Sequence, residues 1–176
     1  MSAWKMIPAW LLFLAVGVQA FAQTEFIRHP VDSDFYGAFD VFTTDLDNDG
    51  DMDILGAAYY LNSIHWWENP GDNNFVEHVI ADNFRGAVDV FATDIDGDGD
   101  QDVVAAAFVD DRISWWENDG TQQFSEHVIA SNLTAVNSVY AVDLDNDGDV
   151  DILGAVRESH LVAWWENDGT QNFMIN

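Results

Sequence analysis

The stretch Asp45-Leu46-Asp47-Asn48-Asp49-Gly50-Asp51-Met52-Asp53 returns as Asp94-Ile95-Asp96-Gly97-Asp98-Gly99-Asp100-Gln101-Asp102, and again as Asp143-Leu144-Asp145-Asn146-Asp147-Gly148-Asp149-Val150-Asp151. The copies start at residues 45, 94 and 143, a constant spacing of 49. Trp66-Trp67-Glu68-Asn69 recurs in the same register as Trp115-Trp116-Glu117-Asn118 and Trp164-Trp165-Glu166-Asn167. Phe26, Phe75, Phe124 and Phe173 keep the same phase, as do His29, His78 and His127. Three units, about 26–74, 75–123 and 124–172, follow one another without insertion, and a fourth begins at Phe173. A fixed period of this size marks a repeat architecture, in which each unit buries its apolar faces against its neighbours.

Inside a unit the pattern is β. In the second, Ala87 to Thr93 reads as one short strand and Val103 to Phe108 as a continuous apolar run. Ile113 to Glu117 is a third, aromatic and β-branched, and Phe124 to Ile129 a fourth with interleaved polar residues. Asn118-Asp119-Gly120-Thr121 predicts a tight hairpin turn between the last two, because Asp-Gly favours positive φ. Four short strands in 49 residues make one propeller blade. The expected fold is therefore all-β, with three four-stranded blades of an incomplete propeller. Adjacent strand residues point to opposite faces, so the two tryptophans of a pair cannot share one side of a sheet. A blade held between two neighbours would bury both. An exposed ring of each pair would instead offer a platform for sugars.

The aspartate loops carry the chemistry. Five acids in each of three loops account for 15 of the 32 carboxylates, and such crowding favours either protonation or a bound cation. Acids at loop positions 1, 3 and 5 followed by glycine at 6 let a tight turn aim oxygens at a common point, with Gly50, Gly99 and Gly148 at the sharp bend. Position 7 would offer its carbonyl, and the acid at position 9 would close the shell. Hard oxygen donors without neighbouring His or Cys select Ca²⁺ over transition metals, and the strict octahedral demand of Mg²⁺ makes it the poorer fit. An EF-hand shares the first half of this pattern but needs Glu at position 12 between helices. Here position 12 is Gly56, Ala105 or Gly154, inside strand-like runs.

D-x-D-x-D-G-D-x-D once per blade-sized unit, together with W-W-E-N-[DP]-G and F-x-E-H-V-I, resembles the FG-GAP/VCBS repeats of integrin-α-like β-propellers, in the form found in secreted bacterial proteins. The resemblance covers residues 24 to 176. It implies one calcium ion in each loop, three in all. The side-chain ligands would be Asp45, Asp47, Asp49 and Asp53 in the first loop, Asp94, Asp96, Asp98 and Asp102 in the second, and Asp143, Asp145, Asp147 and Asp151 in the third. The carbonyls of Asp51, Asp100 and Asp149 would complete each shell. Such propellers usually have about seven blades, whereas three are present.

The rest of the sequence bounds the setting. Lys5 precedes a ten-residue apolar run, Ala9 to Val18, and Ala20-Phe21-Ala22 offers small residues at a cleavage site. This is the form of a secretory signal peptide over residues 1–22, too short for a membrane span. Residues 23–176 would form the exported, extracellular or surface-bound repeat domain. No cysteine is present, so no disulfide staples it. The net charge of −27 opposes nucleic acid and anionic membranes as partners, while the 48% hydrophobic content supplies a core.

Closed propellers have about four to eight blades, so three blades leave two apolar end faces, with Val162, Trp164 and Trp165 in the last unit. Two arrangements would cover them: further blades from a longer chain, or a second copy completing a six-blade ring, each copy lending its first strand, Phe26 to Val31, to the last blade of the other. No Ser lies in G-x-S-x-G, and the histidines recur blade by blade rather than clustering. The expected function is therefore a non-catalytic calcium-stabilised scaffold for adhesion or protein binding. A carbohydrate-binding module, or the accessory propeller of a larger secreted enzyme, is the alternative. The partner would be an extracellular protein or glycan, with the connections at Tyr59 to Leu61, Val109 to Asp111 and Arg157 to Ser159 as contact candidates.

Overall fold

The computed structural model describes residues 26–72 and 74–175. Twelve strands, and no helix among the described residues, form three antiparallel sheets of four. Blade 1 runs in the order β1 (Ala38–Thr44), β2 (Asp53–Ala58), β3 (Ser63–Glu68) and β4 (Val76–Ala81). Blade 2 follows with β5 (Ala87–Thr93), β6 (Asp102–Ala107), β7 (Arg112–Asn118) and β8 (Phe124–Ser131). Blade 3 has β9 (Val136–Val142), β10 (Asp151–Val156), β11 (Leu161–Asn167) and β12 (Phe173–Ile175). The all-β, blade-like, incomplete propeller is borne out, and the four strands read from the second unit fall on β5 to β8.

The sheets are offset from the sequence units by one strand. Phe75, Phe124 and Phe173 sit at the start of the fourth strand of a blade, so the few residues that open a fourth unit complete the third blade as β12. The first occurrence of the same motif behaves differently. Residues 26–37 form no strand, and Phe26 and Ile27 are exposed. Phe26 to Val31, expected as a fourth strand, pairs with no sheet among the described residues, and β12 holds the Trp165–Asn167 part of the β11 edge that it was expected to borrow. The expected leader over residues 1–22 lies outside the described residues. Among those described, no helix is long and apolar enough to cross a membrane.

The blades stack face to face, with β1 beside β5 and β5 beside β9. Between blades 1 and 2 lies one core, built from Leu55, Ile64 and Trp66 on one side and Val90, Val103 and Trp116 on the other. Between blades 2 and 3 lies its counterpart, with Val104, Ile113 and Trp115 facing Val139, Ile152 and Trp165. The two tryptophans of β7 thus serve two different cores, as strand alternation requires. Irregularities in the innermost strand, between Ala38 and Asp40 and between Ala87 and Asp89, aim a carboxylate at the next blade. Asp40 Oδ2 accepts from Val90 N at 3.1 Å, and Asp89 Oδ2 from Val139 N at 2.7 Å.

The turn at Asn118 is longer than expected. The strands separate at Asp119 and rejoin at Gln123, with Asp119 N donating to the Gln123 carbonyl at 3.3 Å. Positive φ falls on Gly120 (75°) and Gln122 (58°) rather than on an Asp-Gly pair. Asn118 Oδ1 holds this loop by accepting from Gly120 N at 3.2 Å and Gln122 N at 3.1 Å.

Candidate metal centre

Each aspartate loop joins the first two strands of a blade, so the three loops project from the same end of the stack. Their fold follows from local hydrogen bonds. Short Asp side chains compete well for nearby backbone amides, and the loop is wound around them. In the second loop Asp94 accepts from Gly97 N (2.7 Å) and Gly99 N (3.0 Å), Asp96 from Asp98 N (3.1 Å), and Asp98 from Asp100 N (2.9 Å). Gly99 closes the turn at φ 102°, and Gly50 and Gly148 do so at 98° and 105°. A Cβ at these positions would meet nothing within 4 Å, so glycine is required by conformation and not by space.

The ninth residue is the anchor. Asp53, Asp102 and Asp151 are fully buried, and both oxygens of each accept a backbone amide. Asp102 takes Ile95 N and Asn118 N, each at 2.8 Å. Asp53 takes Leu46 N (2.9 Å) and Asn69 N (2.8 Å), and Asp151 takes Leu144 N and Asn167 N, each at 2.9 Å. The asparagine of the W-W-E-N motif is therefore a clamp on the loop, a role the sequence reading did not assign. Its constancy beside the tryptophans was the available signal. Asn118 also donates through Nδ2 to the carbonyls of Gln101 and Leu46, each at 3.2 Å, which ties the second loop to the first.

Three acids converge in each loop. Carboxylate oxygens of Asp45, Asp47 and Asp53 lie within 4.8 Å of one another, as do those of Asp94, Asp96 and Asp102 and those of Asp143, Asp145 and Asp151. These are positions 1, 3 and 9. The position-5 acids Asp49, Asp98 and Asp147 stand outside the triads, each accepting the amide of position 7. The position-7 side chains turn away: those of Asp51, Asp100 and Asp149 lie where a Cβ on Gly71, Gly120 or Gly169 would be, and Asp100 also accepts from Asn48 Nδ2 at 2.8 Å across the blade boundary. That orientation is compatible with a carbonyl role for position 7.

Electrostatics mark the triads as charge-starved. Burial raises the Asp47 and Asp96 carboxyls above their ordinary range, and the neighbouring charges, Glu68 and Glu117 among them, push the same way. Asp145 is raised by the same causes. Burial also raises Asp53, and it pushes Asp102 up to about 7. Among the described residues no arginine is ion-paired with a triad: Arg85 pairs with Asp110, Arg112 with Asp110 and Glu126, and Arg157 with Glu158. The donor set is oxygen only, so a hard divalent cation fits these residues.

A model of the FG-GAP-like repeat matches residues 45–105 and again 94–154, each match running from the first aspartate of one loop through the next loop. The chain belongs to the FG-GAP-like repeat family. A search of the curated proteins finds no match. In this FG-GAP-like chain the repeat unit and the candidate metal centre coincide, one triad to a blade.

Three of the five histidines meet glutamates within the blades. His78 stacks on Trp66 with ring centroids 4.6 Å apart and meets Glu68 at 2.9 Å. His127 repeats this with Trp115 at 4.8 Å and Glu117 at 2.9 Å. His65 meets Glu77 at 2.6 Å.

Proposed function

We propose that this chain is a calcium-stabilised, non-catalytic scaffold that acts outside the cell in adhesion or protein binding. The observation that carries the reading is the set of three all-oxygen aspartate triads, each anchored by a buried carboxylate and with no arginine ion-paired to it among the described residues. Calcium accepts six to eight oxygen ligands in flexible geometry, which suits a triad supplemented by a carbonyl and water. Asp45, Asp47 and Asp53, and their counterparts in the other blades, would hold the ion, with the carbonyls of Asp51, Asp100 and Asp149. The bound ion supplies positive charge that cancels the repulsion, so the loops and the strands they join become rigid. Extracellular modules of this kind bind calcium at roughly 10⁻⁴ to 10⁻³ M, concentrations met outside cells, and the leader-like residues 1–22 point to the same compartment.

Two features favour a scaffold over an enzyme. His65, His78 and His127 each face a glutamate on the same sheet, and the chemistry-bearing residues recur blade by blade rather than meeting in one asymmetric cleft. Partner contact is assigned to the end opposite the metal loops, where Tyr60, Leu61 and Val109 are exposed in the turns between second and third strands. The scaffold is favoured over a sugar platform because five of the six paired tryptophans, Trp66, Trp67, Trp115, Trp116 and Trp165, are buried, Trp164 being half-buried.

Thermal unfolding tests the calcium role. In about 5 mM calcium the melting temperature should exceed that in EDTA by about 4 °C or more, since a concentration about 5 to 50 times Kd stabilises by about 1–2 kcal/mol at each of three sites. Magnesium should do much less. Equal melting in calcium and EDTA would refute the reading.

A further inference from the structure

We propose that two copies of this chain close into a six-bladed ring, with the outer face of blade 3 in each copy seated on the outer face of blade 1 in the other. The 49-residue translation makes the two free faces replicas of surfaces that already fit one another. Val90 and Val139, which face backward from blades 2 and 3, are 2% and 5% exposed, whereas their equivalent on blade 1, Val41, is 65% exposed. Ile64 and Ile113, which face forward from blades 1 and 2, are fully buried, whereas Val162 on blade 3 is 79% exposed. The surface that covers Val162-type residues inside the chain is the one that blade 1 presents, and the reverse holds for Val41.

The backbone part of the polar joint is also present on both ends. Within the chain, Asn62 accepts Gly86 N through Oδ1 (3.0 Å) and Phe84 N through its carbonyl (2.9 Å). Asp111 does the same for Ala135 N (2.8 Å) and Leu133 N (2.8 Å). The third member of that series is His160, which keeps the left-handed turn at φ 51° beside 59° for Asn62 and 53° for Asp111. On a second copy it would meet Phe35 and Gly37. Gly37 has φ 81°, like Gly86 at 69° and Ala135 at 60°, and its carbonyl already accepts Tyr59 N as Gly86 O accepts Phe108 N. The backbone of both halves is formed before they meet, so the His160 carbonyl takes the place of the Asn62 and Asp111 carbonyls that accept Phe84 N and Leu133 N.

The joint is between faces; at the outer edge of β11, β12 already holds Trp165 to Asn167. It is heterologous, and two such joints close a ring of six, inside the range of about four to eight blades that propellers adopt. The acids of the loops lie at one end of the stack, so salt should strengthen the pairing of these acidic chains by screening.

Sedimentation or light scattering of the full chain after removal of any leader, in calcium and 0.15 M-scale salt, tests this. The expected mass is twice that of the chain. Val41→Asp and Val162→Asp each should give monomer, and an equimolar mixture of the two should restore dimer through the one joint left intact. Both residues are exposed in the single chain, so folding is unaffected; unchanged circular dichroism checks this. A wild-type monomer, a mass that grows without limit with concentration, or a dimer that survives Val41→Asp would each overturn the proposal. Loss of the dimer with calcium-dependent melting retained would leave the calcium reading intact.

Discussion

Blade 2 and the two blades beside it share one sequence pattern but not one environment. In blade 2 both tryptophans, Trp115 and Trp116, are 3% exposed, and each lies in a different core. In blade 1 Trp67 is buried by its own chain, with Phe35 packed edge-on at 4.8 Å, while Val41 beside it stays open. In blade 3 Trp164 is only half-buried and Val162 is open. Residue type therefore does not set burial here; rank in the stack does. That is the behaviour of a quasi-linear repeat protein, whose stability is a sum of unit and neighbour terms.

The sharpest way to break this comparison is to truncate equivalent side chains. Ile113→Ala should cost about 2–5 kcal/mol in urea unfolding, the usual range for a filled core site. Val162→Ala, one repeat later, should cost under about 0.5 kcal/mol at concentrations where the chain is monomeric. Similar losses at both positions would mean that blade 3 is covered in solution.

A smaller contrast concerns the clamps. Asn118 bridges to the carbonyl of Leu46 in the preceding loop, a reach for which blade 1 has no preceding loop among the described residues. Asn118→Ala should cost about 1–3 kcal/mol, as expected for leaving buried backbone groups unpaired, and should weaken calcium binding in two loops. Asn69→Ala should weaken it in one. Calorimetric titration of the two variants separates these outcomes.

The smallest effect is a pH dependence at the inner strands. Burial, with the neighbouring Asp40, pushes the Asp89 carboxyl up to about 6, above the ordinary value near 4. The folded chain then holds a proton that the unfolded chain has released. Stability from this group is full below about pH 4 and is lost as pH rises through about 6. Asp89→Asn keeps the acceptor for Val139 N and removes the charge. It should melt like the parent near pH 4 and a few degrees higher at pH 7.5, a gain of about 1 kcal/mol. No divergence between the two pH values would contradict the assignment.

Much of this arrangement was legible in the sequence because it is local. The alternation that splits Trp115 from Trp116, the apolar run of β6 and the glycine at the sixth loop position are all set within a few residues. The fate of Phe26 to Val31 was not legible, since the same motif is a strand only where a third strand stands beside it. The longer turn after Asn118 escaped for a related reason: Asn118 itself, holding Gly120 and Gln122, selects the loop. The acids at position 5 look equivalent to their neighbours in sequence, yet Asp98 lies outside the triad formed by Asp94, Asp96 and Asp102. Contacts that span a blade boundary, such as Asn118 with Leu46, leave no local trace.

Everything in the candidate metal centre turns on whether an ion joins the triads. Calorimetric titration of metal-stripped chain with calcium measures this directly. The account predicts saturable binding of three ions per chain, one for each triad, and its loss from one loop in Asp102→Asn. Absence of binding, or a single ion per chain left untouched by that substitution, would contradict it.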